Sequence, residues 1–256
     1  NHTPLDIMLG GGHIFADARA VLFGCGLWPM VDTTRVEWPQ TYRIIRSIHP
    51  PIDLFEDIAD PRDWEALASA ESKTNPRIWD SIGRLDLVPV DRRVTGIGAS
   101  YNMAPFTHIS LDRPGRFTNG SYGVYSAGNS EEVAIREVAY HHARFMADTA
   151  QPVGWTSQFR VLIASLDATL HDVRGIPAYH HPTDYSASQA LALRLRADGS
   201  NGILYDSVRC AGGECVELFW PDVIAIPVQG DHYDFHWDGR TVDQVFNRTT
   251  RQTFLL

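Results

Sequence analysis

The sequence predicts one compact α+β domain, and three observations support this class. Runs rich in β-branched and aromatic residues, typical of strands, occur at 41–48, 121–127 and 159–166. Patterns typical of helices lie between and after them, and no internal repeat, low-complexity tract or linker divides the chain. We expect residues 1–40 to form an N-terminal extension of helix and loop, and residues 41–256 to form the domain.

The first part of this domain is expected to contain a strand, a helix and long loops. Residues 41–48 (TYRIIRSI) predict a strand that ends at the prolines after it. Asp60 and Pro61 suit the cap and the first position of a helix that runs to about Ser72. Residues 74–120 carry turn signals and little periodicity, so loops are expected there, and long loops are often functional.

The second part has clearer signals. Residues 121–127 (SYGVYSA) predict a strand, and Asn129 with Glu132 resembles a capping box for a helix to about Ala147. Further elements are a strand at 159–166, a helix at 183–198 closed by Gly199, and a hairpin of 203–205 with 215–220. The tail from Gly230 on shows no clear pattern.

Charge and cysteine content argue against several classes. The net charge of −9 gives no sign of a basic surface for nucleic acid. Three cysteines without framework spacing argue against a disulfide scaffold. The apolar stretch 18–31 is interrupted and lacks a cleavage pattern, and no stretch reaches the length of a membrane span. We therefore expect a cytoplasmic protein.

Two further patterns are weak indications of a nucleotide or metal site. Gly96-Ile97-Gly98 lacks the third glycine of a dinucleotide fingerprint. The pairs His141-His142 and His180-His181 raise the question of a metal, but neighbouring helical residues point about 100° apart and no carboxylate lies at ligand spacing. We expect no metal, and a metal-dependent hydrolase is the third-ranked hypothesis.

Three residues in a fixed order suit the cleavage of NAD. Arg116 lies in a glycine-rich segment, Tyr125 in a predicted strand and Glu137 in a predicted helix. A pyrophosphate needs arginine or backbone donors, a cationic nicotinamide ring suits an aromatic face, and an oxocarbenium-like ribose needs a carboxylate. Each residue also has an ordinary interpretation: a surface arginine, a core tyrosine and a solvated glutamate.

Several stretches together resemble the RES-domain toxin family. They are Tyr42-Arg43-Ile44, Gly115–Gly120, Val124–Ala127, the helix of Glu137 and Asn201–Val208. Two more stretches, 50–56 and 74–77, resemble a longer subgroup that includes the ParT toxins of type II toxin–antitoxin systems. The resemblance covers about residues 41–240 and depends on the joint order of these motifs.

The resemblance implies a fold like the diphtheria-toxin class of ADP-ribosyltransferases, with a mixed, split β-sheet core, flanking helices and an NAD cleft. It implies NAD as substrate, no metal, and a cognate antitoxin that covers the active site. By match to the family, Glu137, Arg116 and Tyr125 are the expected catalytic residues, and Arg43, Arg116, Tyr125 and Ser207 are expected to bind NAD. Arg43 and Arg116 would hold phosphate or ribose, Tyr125 would stack on nicotinamide, and Ser207 would hold the nicotinamide side or orient Glu137.

Two points depart from the family, and the fate of the ADP-ribose stays open. Phe117 stands where the family often has tryptophan, and the spacing from Arg116 to Tyr125 is one residue shorter than in compact members, so this loop is open to a different position. We expect transfer of ADP-ribose to a host protein, because loops at 74–115 could dock an acceptor. The alternatives are an NAD glycohydrolase or phosphorylase, which depletes NAD, and a non-catalytic NAD-binding or interaction module.

Overall fold

The computed structural model of the chain describes residues 31–48, 60–74, 80, 82–112 and 114–256. The strands are β1 (Thr33–Arg46), β2 (Tyr125–Gly128), β3 (Thr156–Asp172), β4 (Gly202–Asp206), β5 (Glu214–Leu218), β6 (Val228–Trp237), β7 (Val242–Asn247) and β8 (Thr253–Leu255). The α-helices are α1 (Trp64–Glu71), α2 (Ser100–Thr107), α3 (Glu131–Ala147) and α4 (Ser186–Ala197). The expected α+β class, with a mixed sheet and flanking helices, is confirmed.

The sheet has two halves that share the long strands β1 and β3. Its order is β1-β2-β5-β4-β3-β6-β7-β8, and β1 also pairs with β3, so five strands form a closed circuit. Among the described strands, only β3 and β4 run parallel, where His171 and Asp172 meet Ile203 and Leu204. The strands β6, β7 and β8 extend antiparallel from the first half of β3.

Three apolar clusters cover the faces of this sheet. The first fills the space between the closed circuit and α1 and α2, and it contains Trp64, Phe106 and Tyr125. The second lies under α4 and includes Phe117, Leu191 and Phe219. In the third, α3 packs against β3, β6 and β7. Among the described residues, no helix combines the length and apolar content that a bilayer span needs.

Several expected elements are confirmed, with shifted ends. The strand expected at 41–48 is part of β1, which begins at Thr33 and so crosses the proposed border at residue 40. Residues 1–30 lie outside the described residues, so the division into extension and domain stays a prediction. The helix to Ala147, the helix closed by Gly199 (φ +80°) and the β4–β5 hairpin are present.

Four local expectations differ from the structure. The helix α1 begins at Trp64 with Asp63 at the cap position, so Asp60 and Pro61 do not start it. Asn129 does not cap α3: Ser130 does, since its hydroxyl accepts a hydrogen bond from the Val133 amide, while the Asn129 side chain accepts from the Glu214 amide. The predicted loops at 74–120 contain α2, whose pattern is obscured by Pro105 inside the helix. The tail from residue 230 contains three strands, which the alternation of buried Tyr233, Phe235 and Trp237 explains.

Candidate active site

The candidate site is built on one face of the strands β2, β5 and β4. Side chains alternate along a strand, so Tyr125, Val216 and Leu218 enter the first apolar cluster. The intervening residues of β2 and β5, Ser126 and Glu217, are Cα partners across the two strands and point to the opposite face. This face therefore carries polar side chains in the middle of an otherwise apolar sheet.

Glu137 of α3 reaches the turn after β4. Its Oε1 accepts a hydrogen bond of 2.6 Å from the Ser207 hydroxyl, which joins residues that lie 70 positions apart. The Ser207 oxygen itself accepts from the amides of Arg209 and Cys210, at 3.2 and 3.0 Å. Because both backbone contacts use the oxygen as an acceptor, the hydroxyl proton is left to bind Glu137. The structure thus brings two predicted site residues together.

Two glycines allow α3 to approach the strands so closely. A Cβ on Gly128 would lie 2.8 Å from Cγ1 of Val133, and one on Gly213 would lie 2.3 Å from Cγ2 of the same side chain. Val133 is the amide partner of the Ser130 cap, so the first turn of α3 is fixed between the end of β2 and the β4–β5 turn. This contact sets the position of Glu137 one turn further on.

Arg116 stands near this pair but is engaged with the chain. Its Nη1 donates to the carbonyls of Tyr179 and His181, at 3.0 and 2.9 Å, and its guanidinium lies 4.6 Å from the centre of the Tyr185 ring. Only 7% of the residue is exposed. Arg116 therefore stabilises the segment before α4. Only its other two nitrogens, Nε and Nη2, would be left to contact a phosphate.

Arg43 and Tyr125 form a second group. The Arg43 guanidinium lies 4.7 Å from the centre of the Tyr125 ring, and its Nη1 donates to the Ser126 carbonyl at 3.0 Å. Tyr125 is fully buried, and burial raises the pKa of its hydroxyl to about 12. No ring face is open for the expected stacking on nicotinamide in this structure. The role of Tyr125 stays a prediction, and its observed contact is with Arg43.

A second carboxylate, Glu217, lies on this face and was not among the expected site residues. It is 5% exposed, accepts a 2.7 Å hydrogen bond from the Ser126 hydroxyl, and accepts a longer one, 3.4 Å, from Tyr205. Burial first, and then the charge of Glu137, raise the pKa of Glu217 to about 7, although Ser126 and Arg43 act in the opposite direction. A signal was present: one carboxylate inside the apolar run Cys215–Trp220.

Tyr205 connects the groups of the site. Its buried ring packs edge-on against Phe117, with the ring centres 4.9 Å apart. Burial is the main cause that raises its pKa, and the charges of Glu217 and Glu137 add to it while Arg116 lowers it. Phe117, which stands where the family often has tryptophan, thus supports the tyrosine that lies between the predicted residues.

Cationic side chains surround the open side of α3. Desolvation, followed by the charges of Arg209, Arg144 and Arg116, lowers the pKa of His141 to about 4. These guanidinium groups lie around His141, one turn along α3 from Glu137. A concentration of guanidinium groups suits a ligand with phosphate groups.

The histidine pairs have other partners than a metal. His180 Nε2 accepts from the Asp206 amide, and His181 Nδ1 accepts from the amides of Thr183 and Asp184. His142 lies among phenylalanines. In the described part of the chain, no group of three or more His, Cys, Asp or Glu side chains is arranged to hold a metal ion.

The fold and this site define an α+β protein with a polar centre of arginine, glutamate and serine. Comparison with known families gives the class: residues 90–238 match the RES domain model, which is more than half of the chain. The chain belongs to the RES domain family. Arg116, Tyr125, Glu137 and Ser207 lie within the matched region, and Arg43 lies before it.

Two individual proteins are similar to the chain. An uncharacterized protein, y4oC of Sinorhizobium fredii (strain NBRC 101917 / NGR234), is 26% identical over 207 residues, which are 80% of this chain and 86% of that protein. A chain in the crystal structure of the M. tuberculosis MbcT–MbcA toxin–antitoxin complex is similar with a TM-score of 0.42 and 10% identity, over 80% of this chain and 87% of that chain.

Proposed function

We propose that the chain is a toxin of a toxin–antitoxin pair that cleaves the nicotinamide–ribose bond of NAD and transfers the ADP-ribose to a host protein. The observation that carries this proposal is the 2.6 Å hydrogen bond from Ser207 to Glu137. It holds a half-buried carboxylate on α3 one turn before His141, and several arginines lie around that histidine. Cleavage creates positive charge on the ribose, and a carboxylate aimed in advance stabilises that charge most effectively.

The proposed roles follow from these positions. The Glu137 carboxylate would accept a ribose hydroxyl and stabilise the oxocarbenium-like ribose, and Ser207 would hold that carboxylate in one orientation. Arg116 and Arg43 would attract the pyrophosphate of NAD, which carries two negative charges. Tyr125 would act through Arg43, because its ring supports the guanidinium. No step in this scheme needs a metal ion.

Transfer to a protein requires an acceptor surface beside the site. The segment 82–112 includes Ile97, Leu111 and Val90, whose apolar side chains are exposed. A contiguous apolar patch marks a surface that contacts other proteins, whereas single exposed apolar residues are ordinary. A docked acceptor would need these residues to form one patch, and hydrolysis or phosphorolysis of NAD is the alternative outcome of the same cleavage step. A cytoplasmic location would give the enzyme access to NAD and to such an acceptor.

The experiment that tests this function uses Glu137→Gln. Gln is nearly isosteric and lacks the charge, so we expect nicotinamide release from NAD to fall at least about a hundredfold. Glu132→Gln is the matched control, since Glu132 lies on the same helix and is exposed, with its carboxylate on Arg136. Nicotinamide is measured by liquid chromatography with both variants and the wild type.

The fate of the ADP-ribose is read in the same samples by mass spectrometry. Transfer adds one ADP-ribose to a protein when cell extract is present, whereas hydrolysis gives free ADP-ribose and phosphorolysis gives the 1″-phosphate. Equal turnover by wild type and Glu137→Gln would contradict the assignment of the site. Absence of nicotinamide release from all three proteins would favour a non-catalytic module.

A further inference from the structure

Glu217 is a buried carboxylate to which the proposed chemistry gives no role. It lies in the middle of β5, two residues after Cys215. Tyr205 of β4 is the Cα partner of Cys215, so Tyr205 and Glu217 lie on the same face of the sheet. Burying an ionisable group is costly unless its partners repay the desolvation. A carboxylate at 5% exposure inside the domain therefore calls for an explanation from its contacts.

Those contacts connect Glu217 to Arg43 through one residue. The Ser126 hydroxyl donates to Oε2 of Glu217 at 2.7 Å, and the Ser126 carbonyl accepts from Nη1 of Arg43 at 3.0 Å. One residue of β2 thus joins a carboxylate on β5 to a guanidinium on β1. Within the described residues, Nε of Arg43 is buried and has no hydrogen-bond partner, so this guanidinium is incompletely paired by the chain.

The charges around Glu217 come from every element that packs against it. The titratable groups that act on it or feel its charge are Arg43 of β1, Tyr122 before β2, Glu137 of α3, Tyr205 of β4 and Cys215 of β5. Among these groups only Arg43 is cationic, and it remains charged at neutral pH. Desolvation and Glu137 together hold the pKa of Glu217 near neutrality. The carboxyl can therefore gain or lose its proton near neutral pH.

We propose that Glu217 is a positioning residue of the site, which takes up a proton when a pyrophosphate-bearing ligand binds at Arg43. This inference rests on the function proposed above, and it couples the binding of the ligand to the uptake of one proton by Glu217. A pyrophosphate at Arg43 brings negative charge close to the carboxyl, and like charges favour its protonated form. By reciprocity, a protonated Glu217 leaves the charge of Arg43 uncompensated and strengthens the binding of the anion.

The test measures binding of ADP-ribose, which carries the pyrophosphate and has no nicotinamide bond to cleave. Calorimetry of the full chain between pH 6 and 8.5, in buffers of different ionisation enthalpy, gives the affinity and the protons taken up. For the wild type we expect proton uptake and an affinity that falls up to about tenfold per pH unit above neutrality. Glu217→Gln imitates the protonated side chain and should keep high affinity at pH 8.5 without uptake.

Glu214→Gln is the matched control on the same strand. Its carboxylate pairs with Arg174, away from the Ser126–Arg43 connection, so the pH dependence should stay that of the wild type. The inference is overturned if Glu217→Gln retains the wild-type pH slope, or if the wild type binds ADP-ribose without proton uptake. A purely structural role of Glu217 would change stability and leave the pH slope of binding in place.

A second measurement keeps the test valid if Glu217→Gln does not fold. In wild-type protein labelled with ¹³C at glutamate carboxyls, one resonance should titrate near neutral pH and move to higher pH with ADP-ribose. Absence of a neutral titration overturns the inference. Absence of ADP-ribose binding at every pH instead overturns the proposed function, and the ligand-free titration then shows which of the two has failed.

Discussion

At the scale of single residues, the Ser207 hydroxyl donates to Glu137, and the proposed role of this contact is to orient the carboxylate. Two backbone amides occupy the Ser207 oxygen, and its proton has one carboxylate to bind. The sequence predicted both residues through a resemblance, and it left open whether Ser207 holds nicotinamide or orients Glu137. The hydrogen bond supports the second role. Sequence alone could not decide, because residues 70 positions apart meet only through the packing of α3.

Tyr125 gives the first prediction at this scale. Its hydroxyl is buried and has no hydrogen-bond partner within the described residues, while its ring is covered by Arg43 and the first apolar cluster. We expect Tyr125→Phe to leave stability unchanged or to raise it, because the change removes an unpaired buried polar group. Tyr125→Ala should lower the free energy of unfolding by about 3–5 kcal/mol, because it opens a cavity.

Urea unfolding of both variants tests the stability values, and nicotinamide release tests the role in catalysis. We expect Tyr125→Phe to retain most activity, because an aromatic ring still packs against the Arg43 guanidinium. Tyr125→Ala should lose more activity, because that ring is removed. If both variants lose activity equally, the hydroxyl contributes to the reaction and the support of Arg43 is not the main role.

At the scale of elements, predictions succeeded where periodicity was local and strong. The helices α3 and α4 and the β4–β5 hairpin have clear apolar patterns and end signals, and they occur with only shifted bounds. The strands β6, β7 and β8 were missed although Tyr233, Phe235 and Trp237 alternate in β6, because polar residues dominate the rest of the tail. Glu217 was missed for a related reason: a strand pattern identifies which residues are buried, but the partners that stabilise a buried carboxylate lie on other strands.

The contact of α3 with β3 and β6 yields a prediction for acid stability. His142 of α3 is 6% exposed and packs edge-on against Phe159 of β3, with ring centres 4.9 Å apart. Desolvation, and then Arg46, lower the pKa of His142 to about 4. Between this value and the ordinary 6.5, the unfolded chain binds a proton that the folded chain does not, so stability must fall as the pH falls through this range.

We therefore expect His142→Phe to weaken the acid sensitivity of the fold. Wild type should lose roughly 2 kcal/mol from this histidine between pH 7.5 and pH 5, and the variant should not. Thermal unfolding at both pH values, compared between the two proteins, measures the difference. A variant that loses as much stability as wild type over this range would show that His142 is already paired or accessible to water when folded.

At the scale of the whole molecule, the family match gives the class of protein, while the proposed partner and acceptor would bind to its surface. The RES match spans residues 90–238, whereas Arg43 comes from β1, before it. The net charge is −9, yet three arginines act on His141 of α3, one turn from Glu137. An acidic protein with a locally cationic site disfavours nucleic acid at long range and attracts small anions or carboxylates at short range.

We expect the chain to arrest growth when it is expressed alone and to be silenced by a protein partner. An NAD-cleaving site that stays open harms its own cell, and an inserted segment that covers a concave site excludes the substrate. A carboxylate of such a segment could occupy the place of a phosphate at Arg43 or Arg116. We expect induction of the wild type to stop growth and lower cellular NAD or modify a host protein, and Glu137→Gln to do neither.

Co-expression with the neighbouring small gene product should restore growth, and the two proteins should co-purify, less tightly when Arg43 is changed to Ala. Wild-type protein that accumulates in soluble form without effect on growth, NAD or host proteins would contradict the toxin assignment, and rescue without co-purification would contradict inhibition by coverage of the site.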